Sequence, residues 1–243
     1  MDKIDKHLFA VYVANYSGNY KNFEIKDSAL CHRIMRVLRL SEGDNVIVFD
    51  KVYNSIARVE GINRKSISLS ATKLEKNEVI QPKVTLAVGI LKRDNFEQLV
   101  YNSVALGVNV IQPLITEKSQ RSKLSDRDKE RLEKIMISAA EQSKNYSLSC
   151  LQEPIELGLF LKQSSAPLKI FFDVDGMNVA SLSTSEVKNG DLLVGPEGDF
   201  TIPEKKLILD SGFKAYKLAP TILRAVDAAI VGAGIIRSIF NKN

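Results

Sequence analysis

Gly195-Pro196-Glu197-Gly198 lies between an apolar run, Leu192-Leu193-Val194, and the segment Asp199-Phe200-Thr201-Ile202-Pro203-Glu204. The spacing predicts a buried strand that runs straight into a tight turn. Thr201 and Glu204 then form a capping box that starts a helix, with Pro203 in its first turn. Glycines let backbone amides approach a ligand closely, and Glu197 places a carboxylate at the strand's end. In open α/β sheets that end is where ligands bind. An ordinary strand-to-helix junction needs one glycine, so this crowding of Gly, Pro, Glu and Gly points to a ligand-binding turn.

A second constellation is Leu218-Ala219-Pro220-Thr221-Ile222-Leu223-Arg224-Ala225-Val226-Asp227-Ala228-Ala229. Here a strand ends, a proline-containing loop follows, and a helix begins. Arg224 near its N-terminus can clamp a phosphate or an anionic base. Asp227 reads as a helix-stabilising N-terminal charge. Lys92-Arg93-Asp94 ends another buried strand and is either part of a site or a solvated loop. Glu141 and Gln142 close a long helix and by themselves say little.

In Ala29–Leu40, the residues Leu30, Ile34, Val37 and Leu38 form an apolar stripe, while His32, Arg36 and Arg39 share another face. That cationic face either tracks phosphates or is a solvated surface with ordinary ion pairs. Gly232-Ala233-Gly234 lies within an apolar helix and follows no strand, so close helix packing explains it better than a dinucleotide loop.

Two sets of elements must hold these residues. Over residues 1–73, short strands are expected at Phe9–Val13, Asn45–Asp50, Ile56–Val59 and Ser66–Ser70, with one helix from Ser28 to Leu40. A small β-barrel with a helix plugging or flanking it closes such a pattern. Thr72–Gln81, charged and ending before Pro82, reads as a linker. Over residues 80–243 strands alternate with helices: strands at Val84–Leu91, Val108–Ile115, Leu168–Val174, Asp191–Val194 and Phe213–Leu218. Helices are expected at Phe96–Leu106, Asp126–Lys144, Lys205–Ser211 and Ala225–Phe240. This is an α/β arrangement with a parallel sheet covered on both faces.

Composition excludes several classes. A net charge of +5 permits a polyanionic partner without demanding one. With His7 and His32 the only histidines, neither a metal site nor a Ser-His-Asp triad is expected. Cys31 and Cys150 read as two buried, reduced thiols of a cytoplasmic protein. Met1–Lys6 is charged and has no signal-peptide core, and the apolar run Ala228–Ile236 is too short to span a bilayer.

The segments Gly195–Glu204 and Leu218–Ala228 resemble the SPOUT superfamily of knotted methyltransferases. Within it they are most similar to the ribosomal RNA small subunit methyltransferase E family, which methylates N3 of a uridine in 16S ribosomal RNA. The family pattern reads G-P-E-G-G-F-S-x-x-E and then L-G-x-R-I-L-R-x-E-T-A. The resemblance extends to His32–Asp50, Lys92–Glu97, Leu106-Gly107-Val108 and Ala140–Ser143, in order along nearly the whole chain. It implies a PUA-like RNA-binding barrel, a C-terminal SPOUT α/β domain with a deep trefoil knot and parallel sheet, a homodimer, and S-adenosyl-L-methionine (SAM) as cofactor.

Carried over by position, the SAM site comprises Leu193, Val194, Gly195, Glu197, Gly198, Leu218, Ile222, Leu223 and Arg224. Arg224 and Glu197 are the expected catalytic residues. His32, Arg33, Arg36, Arg39, Lys92 and Arg93 are expected to face RNA, free or within an assembled 30S subunit. The chain departs from the pattern at Ala105, Asp199, Ala219, Thr221 and the pair Val226-Asp227, mostly around the RNA-facing rim. A non-catalytic RNA-binding protein of the same fold, or a methyltransferase with another RNA target, remains open at this point. A Rossmann-type methyltransferase expects a glycine-rich turn after its first strand, where this chain has Lys92-Arg93-Asp94-Asn95.

Overall fold

The computed structural model describes residues 8–14, 16, 20–182 and 189–240; Met1–Lys6 and His7 lie outside them. The chain divides into two compact units, Met1–Glu78 with Ala140–Ser147, and Val79–Ala139 with Leu148–Asn243.

The first unit contains β1 (Ala10–Tyr12), β2 (Asn22–Ile25), α1 (Ser28–His32), β3 (Asn45–Phe49), β4 (Tyr53–Ile62), β5 (Ile67–Ala71) and β6 (Glu75–Lys76). The strands form one mixed sheet in the order β1-β3-β4-β5-β2, with β6 also paired to β4. Only β1 and β3 run parallel. Alternation sets the register: Ser55, Ala57 and Val59 turn inward from β4, and Ile67, Leu69 and Ala71 from β5. Cys31 of α1 and Ile34 of the turn that follows seal this face, and the N-cap of α1 is Asp27, which accepts from the Leu30 amide at 2.7 Å. The ladder order runs from β1 to β2, with no pair closing it into a barrel among the described residues.

The helix expected to reach Leu40 behaves differently. After His32 it widens into a π-helical turn, Arg33–Val37, in which the Leu38 amide donates to the Arg33 carbonyl at 2.9 Å. Arg39 then adopts a left-handed conformation (φ 52°), and the Leu40 amide reaches back to the Ile34 carbonyl. The helix thus stops at a left-handed residue, with arginine in the position glycine usually takes.

The second unit contains β7 (Lys83–Gly89), α2 (Arg93–Ala105), β8 (Val110–Ile115), α3 (Asp126–Ser143), β9 (Cys150–Leu151) and β10 (Ile155–Glu156). It continues with α4 (Leu157–Gln163), β11 (Leu168–Asn178), β12 (Asn189–Val194), α5 (Ile202–Asp210), β13 (Lys214–Lys217) and α6 (Ala225–Phe240). The strand order is β10-β8-β7-β12-β11-β13, with β9 also on β8, and every pairing is parallel. Phe160 of α4 and Ile208 of α5 pack with Ala87, Leu114, Phe171 and Leu193 on one face. Helices α2 and α6 pack on each other, with α6 against β7 and β12. Gly107 (φ 74°) and Gly212 (φ 86°) end α2 and α5 as left-handed residues.

Buried Arg237 of α6 donates to the carbonyls of Pro82 and Gly107 and to Asn109 Oδ1. Burial pushes its guanidinium down to about 10, so it remains charged at neutral pH.

Several features correct the sequence reading. Strands β2, β6, β9 and β10 and helix α4 are short or lack clean periodicity and were not foreseen. The expected linker at Thr72–Gln81 contains β6, and Asn77 in it is tied to the Asp50 and Tyr146 carbonyls. The last turn of α3 belongs to the first unit rather than the second. Cys31 is buried as expected, but Cys150 is exposed, because β9 is a short strand at the sheet margin. No helix among the described residues is long and apolar enough to cross a membrane.

Candidate functional site

Strands β11, β12 and β13 end on the same side of the parallel sheet, and a cavity of about 450 Å³ opens beyond their carboxyl ends. Its size falls within the ~300–1,000 Å³ of small-molecule sites. One wall is the turn after β12, with Val194, Gly195, Pro196, Glu197 and Asp199. A second is the loop after β13, from Leu218 to Arg224, running into Ala225 and Ala228 of α6. Phe172, Asp173 and Val174 of β11 and Tyr216 of β13 complete it.

The turn is held from several directions. The Thr201–Glu204 capping box forms as predicted: the Thr201 amide donates to Glu204 Oε2 at 2.8 Å, and the Glu204 amide to Thr201 Oγ1. The other oxygen of the buried Glu204 accepts from the Glu117 amide at 2.9 Å. Lys118 donates to the Gly198 carbonyl at 2.8 Å. A Cβ on Gly89 would lie 2.6 Å from the Pro196 backbone nitrogen, so glycine is what lets the ends of β7 and β12 meet.

Glu197 Oε1 accepts from the Lys92 amide at 2.9 Å and from Asn95 Nδ2 at 3.0 Å. Burial raises its pKa, but hydrogen bonds from Asn95, from the Lys92 amide and from its own amide outweigh that, aided by the Lys92 charge. The net position lies below the usual carboxylate value. A carboxylate so stabilised is a poor proton acceptor, and its geometry latches the turn to the start of α2.

Arg224 stands at the rim. Its Nε and Nη2 reach the two oxygens of Asp227 at 2.7 and 3.2 Å, one turn along α6. The hydrogen bonds and charge of Asp227 raise the Arg224 pKa further. Asp227 therefore orients the arginine, more than the helix-end charge anticipated from sequence. Val226, where the family pattern has glutamate, is buried in the core.

Of the residues carried over to the SAM site, Val194, Gly195, Glu197, Leu218, Ile222, Leu223 and Arg224 line the cavity. Leu193 lies in the hydrophobic core, with no exposed surface. Gly198 lies beside Lys118, on the far part of the turn.

The residues expected to face RNA separate. His32 and Arg36 line one groove of the first unit, whereas Arg33 is paired with the buried Glu141 at 2.6 Å. Arg39 follows the π turn in a left-handed conformation and is not among the residues lining that groove. In the second unit the Lys92 side chain is exposed. Arg93 donates to Glu97 at 3.1 Å, and Glu97 is also held by Arg131.

Sequence reasoning missed Asp173, Lys205 and the Thr116–Ser119 loop. Lys205 bridges Asp173 and Asp199 at 2.7 Å each, tying two walls of the cavity together. The position of Asp173 at the end of a buried apolar run was the one available signal. No cluster of metal-ligating side chains occurs among the described residues.

The fold and site define a class: a parallel α/β sheet with a small-molecule cavity at its carboxyl edge, walled by two backbone-rich turns and rimmed by arginine. Residues 79–237 match the RNA methyltransferase domain family. A ribosomal RNA small subunit methyltransferase E from Synechocystis sp. is 32% identical over 88% of this chain and 73% of its own length. Another, from Rickettsia conorii, is 28% identical over 93% of this chain and 94% of its own. The fold is shared with a ribosomal RNA small subunit methyltransferase E from Neisseria gonorrhoeae solved bound to S-adenosyl methionine. That likeness has a TM-score of 0.83 at 23% identity and covers 96% of this chain and 98% of the other. The chain belongs to the RNA methyltransferase family and, within it, to the ribosomal RNA small subunit methyltransferase E family.

Proposed function

We propose that this protein transfers a methyl group from SAM to N3 of a uridine in small-subunit ribosomal RNA. The observation that carries the reading is the cavity at the ends of β11, β12 and β13, with Arg224 at its rim. Its lining fits SAM. Val194, Leu218, Ile222, Leu223 and Ala228 offer apolar surface, and the loop from Leu218 to Arg224 offers backbone groups outside any strand or helix. Asp173 and Asp199, both paired with Lys205, hold two walls of the cavity together.

When bound, SAM supplies an electrophilic methyl group on a sulfonium. The protein's part is then alignment for an in-line displacement. Uracil N3 gives its proton to solvent water before the nitrogen attacks, and the resulting anion needs a partner. Arg224, exposed and aimed by Asp227, is the residue we assign to that anion or an adjacent phosphate. Lys92, exposed at the N-cap of α2, is assigned to assist. Glu197 acts by holding the turn.

The wider family architecture is part of the same proposal. The first unit is read as a PUA-like RNA-binding domain, and the second as a SPOUT domain in which the chain is knotted around the cofactor loops. The family resemblance also supports a homodimer. A ribosomal substrate makes the cytoplasm its site of action.

Mass spectrometry of ribosomal RNA nucleosides from cells with and without the protein tests the reading. Loss of 3-methyluridine is expected, and an unchanged 3-methyluridine content overturns it. Calorimetry separates out a purely RNA-binding protein, which would take up no SAM.

A further inference from the structure

The two glycines of Gly232-Ala233-Gly234, in the interior of α6, meet different surroundings. A Cβ on Gly234 would find only Leu106 Cδ2, at 3.8 Å, which is ordinary contact. A Cβ on Gly232 would overlap Phe172 Cε2 and lie 2.6 Å from Cζ and 2.9 Å from Cδ2 of the same ring. Glycine inside a helix is disfavoured relative to alanine, so helix formation by itself calls for neither. At Gly232 the reason is the ring. Phe172 lines the cavity at the carboxyl edge of the sheet, as does Ala228, one turn before Gly232 on the same face of α6.

Both backbones are held. Helix α6 is pinned by Arg237, which donates to the Pro82 and Gly107 carbonyls and to Asn109 Oδ1. Ala229, Ala233 and Ile236 of the same helix have no exposed surface. Strand β11 runs between β12 and β13, with Phe172 opposite Tyr216. The Phe172 ring is therefore the part that yields to a side chain on Gly232. Turning the ring about its own axis gives no relief, since Cζ lies on that axis. The ring must swing at χ1, and the space open to it is the cavity of about 450 Å³.

We propose that Gly232 is a positioning residue for the cofactor site: its missing side chain holds the Phe172 ring back and so fixes the depth of the cavity that receives SAM. A methyl group there drives the ring into the volume that the cofactor takes, and ring and cofactor exclude one another. The proposal rests on the reading of this cavity as the SAM site. It adds a residue from outside the cavity lining.

Calorimetric SAM titration, thermal unfolding and steady-state kinetics of the full-length protein test it. Gly232→Ala is expected to weaken SAM binding on the order of tenfold, the scale of modest overpacking. Its KM for SAM rises by a similar factor while kcat at saturating SAM is retained, because the ring is displaced once the cofactor is seated. Gly234→Ala, the same substitution two residues on, is expected to leave SAM affinity unchanged and to raise the unfolding temperature. Phe172→Leu shortens the side chain that collides. Added to Gly232→Ala, it is expected to return SAM affinity to that of Phe172→Leu alone. Phe172→Trp approaches from the other side: α6 leaves no room for the larger ring, which extends into the cavity and weakens SAM binding. The chain has no tryptophan of its own, so emission from this variant reports cofactor binding directly.

Wild-type SAM affinity in Gly232→Ala overturns the proposal and leaves the assignment of the cavity to SAM intact. No uptake by the wild-type protein, titrated alongside, overturns that assignment and the proposal with it. A loss in Gly232→Ala that Phe172→Leu does not relieve overturns the proposal in favour of a general distortion of α6. Should Gly232→Ala not fold, Phe172→Trp decides: wild-type SAM affinity there, or emission indifferent to saturating SAM, overturns the proposal.

Discussion

Asp227 holds the guanidinium of Arg224 in a two-point fork, with Nε at 2.7 Å and Nη2 at 3.2 Å from its carboxylate oxygens. The family pattern has glutamate at the preceding position, where this chain buries Val226. In this chain the acid that pairs with the arginine stands one residue further along α6.

Arg224→Ala is expected to abolish methyl transfer while leaving SAM affinity within about twofold, since a rim cation contributes to the transition state and not to cofactor binding. Asp227→Asn keeps one hydrogen bond and loses the fork. Its kcat is expected to fall on the order of tenfold with little change in KM for RNA, through misalignment of the cation. Steady-state kinetics and calorimetry on the same preparations read both quantities. Undiminished turnover in Arg224→Ala removes the arginine from the mechanism.

Glu197 makes a prediction about acid. Its folded-state pKa is depressed, so its contribution to stability is present above the unfolded-state value of about 4.3 and is lost as pH falls through the lower folded value. Glu197→Gln is therefore expected to unfold at lower temperature than wild type at pH 7, the gap closing as pH falls below about 4. The same depression means that Glu197 adds no neutral-pH limb to the pH–rate profile. A limb near neutrality that vanishes in Glu197→Gln would make it a general base after all.

Gly89→Ala tests the junction of β7 and the turn. The new Cβ would sit 2.6 Å from the backbone nitrogen and the Cδ of Pro196, and neither can rotate away. Overpacking of this kind costs about 1–3 kcal/mol. Because the strain falls on a cavity wall, SAM affinity should drop along with the unfolding temperature. Wild-type values for both would show that the junction tolerates separation.

Asp199 occupies a left-handed conformation (φ 59°) where the family pattern has glycine. Its carboxylate accepts from the Phe200 amide at 2.7 Å and pairs with Lys205. Asp199→Gly relieves backbone strain of about 1 kcal/mol and gives up a partly exposed ion pair of at most about 1 kcal/mol, so the two nearly cancel. Asp199→Ala keeps the strain and loses the pair, and is expected to unfold at a lower temperature than Asp199→Gly. The reverse order in thermal unfolding would refute the strain argument.

The local signals that survived folding are those that depend on near neighbours. The Thr201–Glu204 box, Gly107 and Gly212 at helix ends, the span of α6 and the inward alternation of β5 are each set within a few residues. They were legible for that reason. The glycine-rich turn at Gly195–Gly198 was likewise marked by composition alone.

Everything that turns a marked segment into a site came from residues distant in sequence. Glu197 meets Lys92 and Asn95, Lys205 joins Asp173 to Asp199, and Gly89 meets Pro196 because a parallel sheet brings separate strand ends together. Within the first unit, the π turn at Arg33–Val37 shifted the helical phase. Of His32, Arg36 and Arg39, counted onto one face, the first two line a groove with Arg64 and Lys65 and Arg39 does not, while Arg33 pairs with Glu141. Periodicity assumes a constant number of residues per turn and records no partners across the fold. Sequence by itself determined the glycine-rich turn, the Thr201–Glu204 box and the longer elements around them, because each is set by near neighbours; the tertiary structure decided which carboxylate latches that turn and which lysine joins two walls of the cavity, because those partners lie far apart in the chain.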